Sequence, residues 1–201
     1  MKKRMKAALA LALALVLILL CVPGSVCAEN TKQYRVAGAD VLVTLPQNWY
    51  YGDRSITDDN PFCLWAEKTA AEFISSYLSD NVYLVAFDVS SASMLTLDVE
   101  PSDAGDYMNL GEDKIREASE ELSSWMKENG YTILSEDVVR LNRPYYRLIT
   151  RDSEYTVFNY VTVLGGKKYL FYFMNENEDY AAWGTFYDEI VRNAAFPTAD
   201  Y

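Results

Sequence analysis

The sequence predicts an α+β domain: an antiparallel, meander-rich sheet with helices packed on both faces. Three observations predict it. The final third alternates strand-like runs with tight-turn residues, Asn142-Arg143-Pro144 and then Gly165-Gly166. Ile115, Ala118, Leu122 and Trp125 recur at three- and four-residue steps ahead of Gly130, the pattern of an amphipathic helix closed by a glycine. Tyr169 to Met174 is apolar at every position, which places it centrally and covered on both sides.

The chain opens with Lys2, Lys3, Arg4 and Lys6, an uncharged apolar run from Ala7 to Val22, and small residues up to Ala28. This order is that of a secretory signal peptide with residues 1–28 removed and Glu29 as the first mature residue. A retained anchor is the competing assignment, but a spanning helix needs ~20 apolar residues, more than precede Pro23. Cys21 follows Leu20 and Cys27 follows Val26, where lipidation would want a small residue. The expected location is therefore secreted or extracellular, with no stable membrane insertion after cleavage.

Residues 29–201 then form a single domain, and loss of the four leader cations takes the formal charge from −11 to −15. Such a polyanion is repelled by nucleic acid and anionic lipid. Cys63 is the one cysteine left and the chain has no histidine, so an internal disulfide, Ser-His-Asp or Cys-His catalysis and His-containing zinc sites are excluded. Beside Phe62, Leu64 and Trp65, Cys63 reads as a buried apolar residue.

After a short polar lead, Val41 to Leu45 reads as a strand ended by Pro46-Gln47-Asn48-Trp49, and Tyr50 to Pro61 as a polar loop with Tyr50 and Tyr51 exposed. Thr69-Ala70-Ala71-Glu72 is a capping box that opens a helix to about Asp80. Val82–Val89 and Met94–Val99 form a strand pair, followed by the amphipathic helix. The meander comprises Tyr131–Leu134, Val138–Leu141, Tyr145–Arg151, Tyr155–Leu164 and Lys167–Met174, and a last helix runs from about Asp179 to Asn193.

Leu45-Pro46-Gln47-Asn48-Trp49 after a strand, the middle helix, the Asn142-Arg143-Pro144 turn, the Gly165-Gly166-Lys167 hairpin and a closing helix ending at Phe196 resemble the PsbP-like fold over most of residues 34–198. That family includes the extrinsic PsbP protein of photosystem II, a Ran-binding nuclear import factor and many small exported bacterial proteins. The resemblance implies an α/β/α sandwich and a binding or assembly role. It transfers no functional residue, because the matching positions are structural.

The candidate binding residues are basic exceptions in an acidic chain: Arg140, Arg143, Arg147 and Arg151, with Tyr145 beside them. Arg147 and Arg151 lie four apart on a strand and share a face. An arginine-aromatic face suits an acidic peptide or another anionic ligand, because guanidinium pairs carboxylates bidentately and stacks on rings. The competing assignment pairs these arginines with glutamates of the middle helix or sets them at a sheet edge.

Neither a cofactor nor a metal is implied. Asn175 to Asp179 has alternate oxygen ligands, but an EF-hand would need glycine and a carboxylate where Tyr180 and Phe186 stand. Asp58-Asp59-Asn60 reads as a solvated turn. The function expected is thus a non-enzymatic binding or accessory role, with an exported carboxylate-pair hydrolase as the alternative. For the latter, none of the acidic residues stands in an obviously apolar setting; Asp88, between Phe87 and Val89, comes nearest and also fits a strand end.

Overall fold

The structure is a computed structural model that describes residues 30–176 and 180–196. The expected leader, residues 177–179 at the end of the Asn175–Asp179 segment, and residues 197–201 lie outside the described residues. The elements in order are β1 (Thr31–Val36), β2 (Val41–Pro46), β3 (Tyr50–Asp53), α1 (Pro61–Ala66), α2 (Ala70–Tyr77), β4 (Val82–Asp88), β5 (Ser93–Pro101), α3 (Glu112–Glu128), β6 (Thr132–Arg140), β7 (Pro144–Arg151), β8 (Thr156–Leu164), β9 (Lys167–Asn175) and α4 (Tyr180–Arg192). A short 3₁₀ turn at Tyr107–Asn109 precedes α3.

β1 and β2 form a separate hairpin, while the other strands make one sheet in the order β3-β4-β5-β9-β8-β7-β6, antiparallel at every pairing. Every pair of neighbours but one is consecutive in the chain, β3 and β4 being joined through α1 and α2; the exception, β5 beside β9, brings the chain back to the middle of the sheet. Gly165 and Gly166 both have positive φ, 57° and 72°, which the tight β8–β9 turn requires.

One face of the sheet is closed. α4 and the β1–β2 hairpin cover it, and Leu84, Leu97, Phe158, Tyr160, Phe171 and Phe173 pack there against Tyr187 and Val191. The hairpin is tied to the end of α4 by reciprocal backbone hydrogen bonds between Leu42 and Ala195, at 2.8 and 2.9 Å. The opposite face carries two separate covers. α3 and the 3₁₀ turn lie over β6–β8, with Ile115, Met126 and Tyr107 against Tyr146, Leu148 and Val161. α1 and α2 lie over β3 and β4, where Phe62 and Phe73 meet Val85. Gly52 allows this close approach: a Cβ there would stand 2.6 Å from Ile56 and Phe73.

Several expectations are corrected. Tyr50–Asp53 is an edge strand rather than the start of a loop, so Tyr50 and Tyr51 are half-buried, Tyr50 stacked on Trp65 and Tyr51 in ring contact with Tyr34. The polar lead forms β1, because pairing with β2 satisfies its backbone whatever its side chains. Tyr131–Leu134 and Val138–Leu141 are one strand, β6, irregular between Ile133 and Ser135. β9 is central, but from Tyr169 to Met174 only Tyr169, Phe171 and Phe173 are buried; Leu170, Tyr172 and Met174 remain half-exposed. The strand buried on both faces is β8.

α3 is also turned from the expected face. It buries Ile115, Ser119, Ser123 and Met126 and leaves Trp125 54% exposed. The reason is polar: Tyr107 and Ser119 share a buried hydroxyl hydrogen bond of 2.9 Å, so a serine takes a place that apolar periodicity alone would have given to leucine. Thr69 and Glu72 form the expected capping box of α2, and Cys63 is buried as expected.

Candidate binding cleft

The rotation of α3 and the spacing of the two covers shape a cleft. On β5 the side chains alternate strictly: Leu95, Leu97 and Val99 are buried, whereas Met94, Thr96, Asp98 and Glu100 are half-exposed on the face opposite. Antiparallel register extends that face across β9 and β8 in rows: Glu100–Lys168–Val163, Asp98–Leu170–Val161, Thr96–Tyr172–Asn159 and Met94–Met174–Val157. α3 stands over the β8 end of these rows. Between it and the β5 end is a cleft of about 440 Å³, with Leu170, Val161, Lys168 and Glu100 as floor and Ala118, Glu121, Leu122 and Trp125 as wall.

The charges in this region are unequal. Lys168 is paired with Glu100. Asp98, in the next row, has a buried Oδ1 with no hydrogen-bond donor. Burial lifts its pKa to about 6, against the opposing effects of the Thr96 hydroxyl and Lys168, while the charge of Glu100 adds to the rise. Tyr172, in the following row, is pushed up to about 12, first by burial and then by Tyr131, Asp152 and Asp98. Asp98 thus stands in the apolar setting that no carboxylate was expected to occupy.

The basic residues singled out in the sequence lie elsewhere and do not assemble as one open surface. Tyr145 is fully buried, its hydroxyl donating to Asn142 Oδ1 at 3.0 Å, and burial raises its pKa far above the usual range. Arg143 is buried as well: Nε donates to Thr162 Oγ1 at 2.9 Å, Nη2 donates to Asp106 at 2.9 Å and to the Val163 carbonyl at 3.0 Å, and the guanidinium lies 5.2 Å from the Phe196 ring centre. Neither residue can face a partner.

Arg147 is 19% exposed and is held by two carboxylates. Nε and Nη2 donate to the two oxygens of Asp137 at 3.0 and 2.9 Å, and Nη1 donates to both oxygens of Asp188 on α4 at 3.1 Å. Burial opposes its charge, but Asp137 and Asp188 outweigh burial and raise its pKa. Tyr160 donates to the same Asp188 at 2.8 Å. Arg151 is half-buried and donates to Thr156 Oγ1 at 3.1 Å. Arg140 is the exposed member, 3.9 Å from Glu112 at the start of α3, so one arginine does pair with the middle helix.

The acidic loop residues have local roles. Asn60 caps α1 by accepting from Phe62, Asp58 accepts from the first amide of α2, and Asp59 accepts from Thr57. Asp88 ends β4 and accepts from Ser90 and Ser91. No group of three or more acidic or cysteine ligands converges among the described residues. No helix among them is long and apolar enough to cross a membrane.

Asp98, Glu100, Leu170 and Trp125 were not expected in the sequence to line a site, Trp125 having been expected on the buried face of its helix, although one signal was present. The run Leu95-Thr96-Leu97-Asp98-Val99-Glu100 alternates apolar and polar without a break, the signature of a strand with one open face.

Neither a protein-family profile nor a curated protein sequence matches the chain. Solved structures do. PsbP of the cyanobacterium Synechocystis superposes with a TM-score of 0.55 at 14% identity, over 89% of this chain and 99% of that one. The fold is PsbP-like. The Ran-binding protein Mog1p of Saccharomyces cerevisiae shares it, with a TM-score of 0.51 at 12% identity over 83% of this chain and 95% of its own. At these identities the property shared is the PsbP-like fold itself, an α+β arrangement with an antiparallel sheet.

Proposed function

We propose that the protein is an exported, non-catalytic binding module that holds a protein partner on the cleft between α3 and the β5–β9 strip. The observation that carries this reading is the open strip itself. The half-exposed side chains of β5 and β9, paired in four rows, lie between two helical covers, and the wall above them carries an exposed indole. The leader-like N-terminus supports export, and Mog1p, as a Ran-binding protein, gives an instance of this fold used for protein recognition.

Affinity capture from the producing cell's envelope and culture fluid tests the reading. A species retained by the wild type, retained by Arg140→Glu and lost from Trp125→Ala supports the cleft. Loss from Arg140→Glu alone would return the surface to the basic residues, and indifference to both variants would remove the proposal.

A second reading rests on Asp98. A carboxyl with a raised pKa, two residues from Glu100 on the same face, is the acid-plus-carboxylate pattern of glycoside hydrolysis. Turnover of a glycoside by the wild type that disappears in Asp98→Asn would favour it over binding.

A further inference from the structure

We infer that the cleft takes a lysine or arginine side chain from a basic protein segment lying along the β5–β9 strip. This deepens the reading of the strip as a binding surface and rests on it. The inference comes from charge and shape together. Lys168 is already engaged by Glu100, Glu121 stands on the wall, and Asp98, in the next row of the strip, keeps a buried oxygen without a donor, so carboxylates outnumber the one lysine at this end of the strip. An excess of negative charge beside low-dielectric walls projects its field into the opening, where a cation is the complementary occupant. Trp125 stands on the same wall, and an indole face attracts ammonium and guanidinium groups while covering their apolar stems.

The rest of the molecule acts in the same direction. The chain carries a formal charge of −11 and so draws in cationic partners over longer range. A partner of this sign is the opposite of the one the arginines suggested. The length of the strip favours a peptide over a free small cation. Met94 to Glu100 spans six residue steps, about 20 Å of extended chain. A single head group would fill one end of that strip and leave Met94, Tyr172 and Met174 uncovered.

The test uses the purified protein and a fluorescein-labelled octapeptide of alternating lysine and serine, followed by anisotropy at near-physiological salt. The wild type binds this peptide and not the glutamate–serine counterpart. Trp125→Ala, at an exposed position that leaves the core intact, weakens binding tenfold or more. The double variant Asp98→Asn with Glu121→Gln does the same, whereas Asp113→Asn with Glu120→Gln changes affinity less than twofold. The last pair removes the same charge from the side of α3 away from the cleft, so equal losses from both doubles would reduce the effect to the general acidic field and overturn the site. Displacement of the peptide by spermine at equal charge would overturn the peptide in favour of a free polyamine. Failure of the wild type to bind the lysine peptide, while a partner is still captured through Trp125, would overturn the cationic occupant and leave the binding surface standing.

Discussion

Asp98 shows how a single side chain records that a surface is unfinished. It sits on a strand whose other face buries Leu95, Leu97 and Val99, is too deep to be well solvated, and has one oxygen without a donor. Its pKa rises from 3.8 to about 6, so the folded protein holds this proton more tightly than the unfolded chain does. Between those two values the native state binds more protons, and stability attributable to this group falls as pH rises through the window. Above it the cost is complete, on the order of 3 kcal/mol for a shift of about two pKa units. Asp98→Asn removes the titration. The variant should melt several degrees above wild type at pH 7.5, and the two should converge near pH 4. Equal differences at both pH values would mean that packing, and not charge, sets the effect.

At the scale of elements, the arginines of β7 show which inferences a strand pattern supports. That Arg147 and Arg151 share a face followed from their spacing. Which layer covers that face did not, because alternation distinguishes two faces without saying where a helix distant in sequence will land. α4 lands on it, and Arg147 becomes a three-element clamp: Asp137 on β6, its own β7 and Asp188 on α4. The turn of α3 has the same origin, since the buried Tyr107–Ser119 hydrogen bond joins groups that no periodicity connects. Elements set by local chemistry were readable in advance: the Thr69–Glu72 capping box, the Gly165-Gly166 hairpin and the strand end at Pro46. Truncating Arg147 to alanine strands two partly buried carboxylates and should cost about 3–5 kcal/mol. Asp188→Asn in that background should recover a measurable part, seen as a coupling energy in urea unfolding. Additive losses would mean that the clamp does not operate as a unit.

For the whole molecule the governing quantity is width. Seven strands spaced about 4.8 Å apart span roughly 29 Å between the outer axes, whereas a helix with its side chains is about 10 Å across. α4 and the hairpin together close one face. On the other, α1 and α2 occupy β3–β4 and α3 occupies β6–β8, so β5 and β9 are left between them. This is why β9, apolar at every position from Tyr169 to Met174, is nonetheless half-open: its sequence matches a doubly covered strand, but the covers are set by the helices that exist to supply them. An open strip must be distinguished from a sheet that is locally loose, and two observables separate them. If β5 and β9 are central strands with uncovered side chains, hydroxyl-radical footprinting should modify Met94, Met174 and Tyr172 while Tyr145, Tyr160 and Tyr169 stay silent. The backbone amides of the same two strands should still exchange as slowly as those of β8, because both neighbours hold them in the ladder. Fast amides beneath labelled side chains would mean fraying, and unlabelled methionines would mean that the strip is closed in solution. A labelled surface over a slow ladder is the combination that a preformed binding site requires.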